Sequence, residues 1–128
     1  MAIRGIRGAT VAAADTPAAI RAATRELLEA LVAANNLDPD DVASVIFSTT
    51  PDLTAEVPAR AARDELGWAE PAIMCLAEME AVGGLARCIR VLIHWNTELK
   101  PDQVRHVYLH AAAQLRPDRV NHVNHQGA

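Results

Sequence analysis

The hydrophobic residues of this chain follow two different periods. Apolar and polar residues alternate as in β-strands, or form a short apolar run, in five stretches: residues 2–11, 42–48, 71–75, 87–95 and 104–109. One long stretch has the spacing of a helix. Thr16 can cap this helix, which ends near Asn35. A second, short helix is predicted over Pro58–Leu66, and one more helical turn over residues 111–115. The pattern predicts an α+β fold with a mixed sheet of about five strands and one long helix.

The stretch from Cys88 to Trp95 carries an arginine where a buried strand would not tolerate one. Ile89, Val91 and Ile93 share one face, and Arg90 lies among the residues of the other face. A guanidinium in such a run is costly unless an anion or a carboxylate is supplied to it. We therefore expect Arg90 to face an anionic partner.

The same strand indicates an oligomer. Val91 and Ile93 make one face apolar and Leu92 adds an apolar residue to the other, so both faces need cover. One long helix covers only one face of a sheet. The missing cover is expected to come from another copy of the chain.

Composition narrows the class of protein. At 128 residues the chain fits one domain, expected over residues 1–118, with a flexible C-terminal tail over residues 119–128. No apolar run approaches the length of a membrane span, and the N-terminal M-A-I-R-G-I-R-G lacks an apolar signal core. A cytoplasmic protein is therefore expected, with Cys75 and Cys88 as free thiols. A net charge of −4, with two Trp, one Tyr and one Phe, argues against a nucleic-acid partner.

Several kinds of catalytic or metal site have no support. Gly83-Gly84 lacks the lysine and the spacing of a phosphate loop, and Ser48 has no nucleophile motif around it. His106 and His110 have helical ligand spacing but fall where a strand is predicted, so no metal is expected. The remaining chemistry is that of arginines placed for a small ligand rich in carboxylates.

Other charged residues permit two interpretations. Arg4 and Arg7 are three apart in a strand and so point to opposite faces, which allows one to be solvated and the other to bind. Arg60 and Arg63 share a helix face, where solvent exposure is the default and anion capture the alternative. Glu78 taken alone is more often a surface charge than part of an acid/base pair.

Five blocks in order then resemble the monofunctional AroH-type chorismate mutases, collinearly from Ile3 to about Asp118. The blocks are R-G-I-R-G-A-T (Arg4–Thr10), S-T-T-P-D-L (Ser48–Leu53), C-L-A-E-M-E (Cys75–Glu80), G-G-L-A-R-C-I-R-V (Gly83–Val91) and R-H-V-Y-L (Arg105–Leu109) with L-R-P-D (Leu115–Asp118). The resemblance implies a homotrimer in which the sheets form a pseudo-α/β barrel, with active sites in the clefts between subunits. It also implies conversion of chorismate to prephenate by a Claisen rearrangement that needs no cofactor or metal.

The resemblance implies roles for particular residues. Arg90 would donate to the breaking ether oxygen and a neighbouring carboxylate, and Glu78 would accept the ring hydroxyl with Cys75 beside it. Further substrate contacts are implied for Arg7 and Tyr108 at a carboxylate, Met74 through its backbone, Arg63 and Arg60 from the adjacent subunit, and Leu115 and Arg116 in a lid. Three positions depart from the family pattern: Val57 stands for a larger aromatic residue, Met74 for a hydroxyl-bearing one, and Arg60 for a lysine.

Two other functions share this architecture. A trimer of this kind could bind a carboxylate metabolite without catalysis, and the RidA-like imine and enamine deaminases also use an arginine at a subunit interface. Neither alternative requires Arg7, Glu78, Arg90 and Tyr108 together, so the joint presence of these residues favours a chorismate mutase.

Overall fold

The computed structural model describes residues 2–81 and 83–115. Its strands and helices are, in chain order, β1 (Ala2–Val11), α1 (Pro17–Asn35), β2 (Val42–Thr49), α2 (Pro58–Leu66), β3 (Ala72–Ala77), β4 (Cys88–Thr97) and β5 (Val107–Tyr108). Short 3-10 turns cover Pro39–Asp41, Pro101–Gln103 and His110–Leu115. The predicted α+β class and the long helix are confirmed, whereas the expected tail of residues 119–128 lies outside the described residues.

Strand β4 occupies the middle of one mixed sheet. The strand order is β3-β2-β4-β1-β5, with β4 antiparallel to both β1 and β2. The two outer strands are parallel to their neighbours. This register places Arg90 between Ala9 of β1 and Ser48 of β2, so the arginine lies near the centre of the sheet.

Local signals set the limits of both helices. The Thr16 hydroxyl accepts a hydrogen bond from the Ala19 N–H at 3.1 Å, and Asn36 ends α1 in the left-handed conformation at φ 51°. Gly67 ends α2 in the same way at φ 71°. Within the described residues, neither helix combines the length and the apolar character of a membrane span.

The two faces of the sheet differ in cover. Helix α1 buries Ile20, Leu27 and Leu31 against one face, where the sheet contributes Ile6 and Ile93 among others. On the other face the Met74 side chain is 58% exposed, and Ile46 and Leu92 in the same row are half-buried. One chain therefore leaves an apolar face of its sheet open, as the sequence pattern predicts.

The last strand is shorter than predicted. Only Val107–Tyr108 pairs with β1, and the expected strand residues 104–106 do not. The side-chain amide of Asn35 instead bonds both backbone groups of Arg105, accepting from its N–H at 2.8 Å and donating to its carbonyl at 2.9 Å. The expected helical turn after it forms as a 3-10 turn that begins at His110. The Asn35 side chain of α1 thus takes the backbone hydrogen bonds of Arg105 that a neighbouring strand would otherwise make.

Candidate active site

Arg90 carries the main electrostatic feature of the open face. Its side chain is 39% exposed, and its Nε lies 3.6 Å from Oε1 of Glu78. That distance allows an ion pair but is too long for a hydrogen bond. The Nε itself is buried and has no hydrogen-bond acceptor among the described residues. The Nε–H of this charged group is therefore held in place with no acceptor of its own.

Glu78 is held from two directions. Its N–H donates to the Thr49 carbonyl at 2.9 Å, which fixes the backbone just after β3. Its Oε1 accepts a hydrogen bond from the Ser48 hydroxyl. Ser48 lies opposite Arg90 in the β2–β4 register, so the serine that bonds Glu78 is also the strand neighbour of Arg90. The sequence analysis did not assign this role to Ser48, because only the register shows that it lies beside both.

Two cavities share Arg90 and Leu115. The first, of about 460 Å³, is also lined by Glu78 and Cys88. The second, of about 400 Å³, is also lined by residues of β1, β2, β4 and β5, namely Arg7, Gly8, Ile46, Val91, Leu92 and Tyr108. The structure therefore brings together five of the predicted site residues, namely Arg90, Glu78, Arg7, Tyr108 and Leu115.

The two arginines of β1 have different surroundings. Arg4 is half-buried, and its Nε donates to the Leu99 carbonyl at 2.7 Å. Arg7 is exposed and lies opposite Leu92, on the open face of the sheet. Its N–H donates to Nδ1 of His106 at 3.0 Å. The prediction that these arginines point to opposite faces is confirmed, and Arg7 is the one that lines a cavity.

Tyr108 is buried beside the cavity that Arg7 lines. It packs with Ala9 and Ala112, and the partly buried Leu115 covers this small apolar cluster. Ala9 is also the register partner of Tyr108 in the β1–β5 ladder. Pairing of the short strand β5 with β1 thus holds Tyr108 next to Ala9.

Four predicted residues line neither of these two cavities in one chain. Arg60 and Arg63 project from α2, and both are exposed. Met74 is exposed on the open face of β3. Cys75 follows on the opposite, helix-covered side, where burial raises the pKa of its thiol against the opposing effects of the Ala59 backbone and the Arg63 charge. Arg116 lies outside the described residues.

His106 and His110, which have the spacing of metal ligands in the sequence, have separate partners in the structure. His106 accepts from Arg7 through Nδ1, whereas Nε2 of His110 lies 2.9 Å from Oε1 of Glu26 on α1. Among residues 2–81 and 83–115, no group of three or more His, Cys, Asp and Glu side chains is placed to hold a metal ion.

Comparison with known proteins identifies the family. The model of the family described as chorismate mutase type I matches residues 3–119. The chain belongs to the chorismate mutase type I family. It is 46% identical to the chorismate mutase AroH of Bacillus subtilis over 109 residues, which are 85% of this chain and 86% of that protein. It is 48% identical to the chorismate mutase AroH of Thermus thermophilus over 108 residues, 84% of this chain and 88% of that protein.

A solved structure supports the same assignment. The chorismate mutase from Clostridium thermocellum matches with a TM-score of 0.83 and 43% sequence identity. The match covers 86% of this chain and 97% of that one. The resemblance found in the five sequence blocks is therefore confirmed at the level of family and of chain fold.

Proposed function

We propose that Arg90 and Glu78 carry the reaction of this chorismate mutase, at a site that a second copy of the chain completes. The protein is an isomerase that converts chorismate to prephenate, a step in aromatic amino acid biosynthesis. The observation that carries the residue assignment is the buried Nε of Arg90, a charged donor with no acceptor among the described residues.

The reaction asks for positioning and charge stabilisation. A Claisen rearrangement breaks a C–O bond while a C–C bond forms, so it needs no nucleophile and no proton transfer. The substrate must be held with its enolpyruvyl arm folded over the ring, and the charge that develops on the ether oxygen must be stabilised. Arg90 supplies a donor for that oxygen, and because the oxygen gains negative charge as the C–O bond breaks, this interaction is stronger in the transition state than in the ground state.

Glu78 acts by orienting the substrate. The Ser48 hydroxyl occupies Oε1, which leaves Oε2 to accept the ring hydroxyl of chorismate. Arg90 lies within ion-pair distance of Oε1 and compensates the carboxylate charge. Glu78 therefore fixes the ring relative to Arg90 and does not serve as a general base.

Arg7 and Tyr108 bind a carboxylate of the substrate. Both line the second cavity with Arg90, and Arg7 is exposed there with a planar fork that suits a carboxylate. Chorismate carries two carboxylates, so donors on both sides of the ether oxygen hold it at two points. This arrangement accounts for several arginines at a site that makes no covalent bond to its substrate.

A homotrimer accounts for the residues that one chain leaves apart. Met74 and Leu76, 58% and 49% exposed, extend the open apolar face of the sheet, which a neighbouring subunit would cover. Arg60 and Arg63 lie at the exposed surface of α2, from which they can enter a neighbour's cleft. The family's trimeric pseudo-barrel meets both requirements. A cytoplasmic location is part of this proposal and is supported by the two free thiols.

The activity is tested by following the loss of chorismate absorbance with purified protein, with and without excess EDTA. We expect turnover that EDTA does not change, together with the mass of a trimer in light scattering. No turnover would favour a binding protein, and a loss of turnover only with EDTA would contradict the metal-free mechanism.

The composite site is tested by complementation. Arg63→Ala and Arg90→Ala chains, each expected to be inactive, are unfolded together and reassembled. If each site takes these arginines from different subunits, about one site in four of a random mixture is complete, and that share of activity returns. If both arginines serve the site from one chain, mixing restores nothing, and a reassembled wild type controls for recovery.

A further inference from the structure

We propose that Asp52 is a positioning residue for this reaction, holding the first residues of β4 in the conformation that aims Arg90. It acts through Thr50 and the backbone, not by touching the reacting atoms. This inference rests on the function proposed above.

Asp52 and Thr50 form a closed hydrogen-bond network with the start of β4. Asp52 Oδ2 accepts from the Arg87 N–H at 2.8 Å, and its Oδ1 accepts from the Thr50 hydroxyl at 2.6 Å. The Thr50 Oγ1 in turn accepts from the Cys88 N–H at 2.9 Å, and the Thr50 N–H donates to the Cys88 carbonyl at 3.1 Å. Three of these four hydrogen bonds join the loop after β2 to the consecutive residues Arg87 and Cys88, and the fourth links Thr50 to Asp52 within the loop.

The start of β4 needs such support. Arg87 has φ 51°, a left-handed conformation that a residue with a side chain rarely adopts. It follows a segment, residues 78–86, that has no helix or strand in its described part. On the other side, Arg87 exchanges hydrogen bonds with Ala12, accepting from its N–H at 2.8 Å and donating Nε to its carbonyl at 2.9 Å. Asp52 therefore holds one side of a strained residue that Ala12 holds on the other.

The network reaches Arg90 through Cys88. These two residues are two apart in β4, so their side chains lie on the same face of the sheet. Arg90 is thus the next residue after Cys88 on that face, and its charge opposes the rise in the pKa of the Cys88 thiol that burial causes. A shift of the Cys88 backbone would move Arg90 with it, and small displacements of a catalytic donor are costly in rate.

The carboxylate of Asp52 is itself engaged. It lines the first cavity with Thr50, where a free negative charge would repel a dicarboxylate substrate. The hydrogen bond from Thr50 is the main reason that the pKa of Asp52 lies below its usual range, and the Arg87 N–H adds to it. Because both oxygens accept from the protein, the expected effect of removing Asp52 is on the aim of Arg90 and not on substrate affinity.

Asp15 provides a matched control. Its Oδ1 accepts from the N–H groups of Thr54 and Ala55 at 2.9 and 3.0 Å, and its Oδ2 accepts from the Thr54 hydroxyl at 2.8 Å. It is an exposed aspartate with a pKa lowered mainly by its hydrogen bonds to Thr54, and these bonds hold the same loop at residues 54 and 55 instead of at the start of β4. A purely structural role for Asp52 would make the two aspartates equivalent.

The test compares steady-state kinetics of four variants: Asp52→Asn, Thr50→Val, Thr50→Ser and Asp15→Asn. We expect Asp52→Asn and Thr50→Val to lower kcat about tenfold or more with KM within about twofold. Thr50→Ser, which keeps the hydroxyl, and Asp15→Asn should retain the wild-type kcat. Unchanged kcat in the first two variants, an effect on KM alone, or no rescue by serine would overturn the proposal. If Asp52→Asn does not fold, the two Thr50 variants decide.

Amide hydrogen exchange separates this proposal from the function on which it rests. In Asp52→Asn the Arg87 and Cys88 amides should exchange faster than in the wild type, whereas the central amides of β4 should not. Unchanged exchange would overturn the network while leaving the chorismate mutase assignment intact. A wild-type protein that does not consume chorismate would refute the assignment and, with it, any positioning role in that reaction.

Discussion

Gly8→Ala tests how closely α1 and β5 pack against β1. A Cβ at this position would lie 3.0 Å from Cδ1 of Leu31, 3.1 Å from the Val107 carbonyl oxygen and 3.2 Å from Cδ1 of Leu27. The leucine side chains can shift, but the carbonyl belongs to the residue that pairs with Gly8 between β1 and β5. The added methyl group therefore pushes on the ladder that holds Tyr108.

Two opposing effects set the magnitude. Overpacking a core by one methyl group costs about 1–3 kcal/mol, and replacing a strand glycine by alanine returns about 0.5–1 kcal/mol of chain entropy. The midpoints of these two ranges give a free energy of unfolding lowered by about 1.2 kcal/mol. Since Tyr108 follows Val107, we also expect a higher KM for chorismate.

Urea unfolding at one fixed protomer concentration measures the change, because the stability of an oligomer depends on that concentration. A double-mutant cycle with Leu31→Val identifies the cause. Shortening Leu31 should relieve part of the clash, giving a coupling of at least about 0.5 kcal/mol between the two sites. A Gly8→Ala protein as stable as the wild type, or strictly additive effects in the cycle, would refute the close-packing explanation.

Three further predictions concern the site. Arg90→Lys should keep the fold and lose about 10²–10³-fold in kcat, because an ammonium group cannot reproduce a guanidinium fork; near-wild-type turnover would contradict the mechanism. Because burial raises the pKa of Cys75 and of Cys88, less of each thiol is ionised at pH 8, and iodoacetamide should modify them much more slowly than in denaturant; equal rates would contradict this. A chain ended at Leu115 should keep the oligomeric state of the full chain and have a higher KM, and an unchanged KM would remove Arg116 from the site.

The sequence by itself determined the elements whose signals are local. The Thr16 cap, the limits of α2 at Pro58 and Leu66 and the alternation in β1 all depend on residues close in the chain, and each appears in the structure where the pattern predicts it. The sequence also showed that Arg90 needs an anionic partner, because its neighbours in the strand are apolar and a buried charge without a partner is costly. The five sequence blocks that resemble the chorismate mutases also indicated the family, and the family model and the relatives confirm it.

Only the tertiary structure decided which residues meet across the sheet. A period of two shows which face a side chain takes but not which strand lies beside it. The Ser48 hydroxyl beside Glu78 and Arg90, and the Asp52 network at the start of β4, depend on strands that are far apart in sequence. The loss of strand pairing at Arg105 has the same origin, because Asn35 of α1 reaches it across 70 positions. Register and packing, which follow from the whole core, decided these contacts.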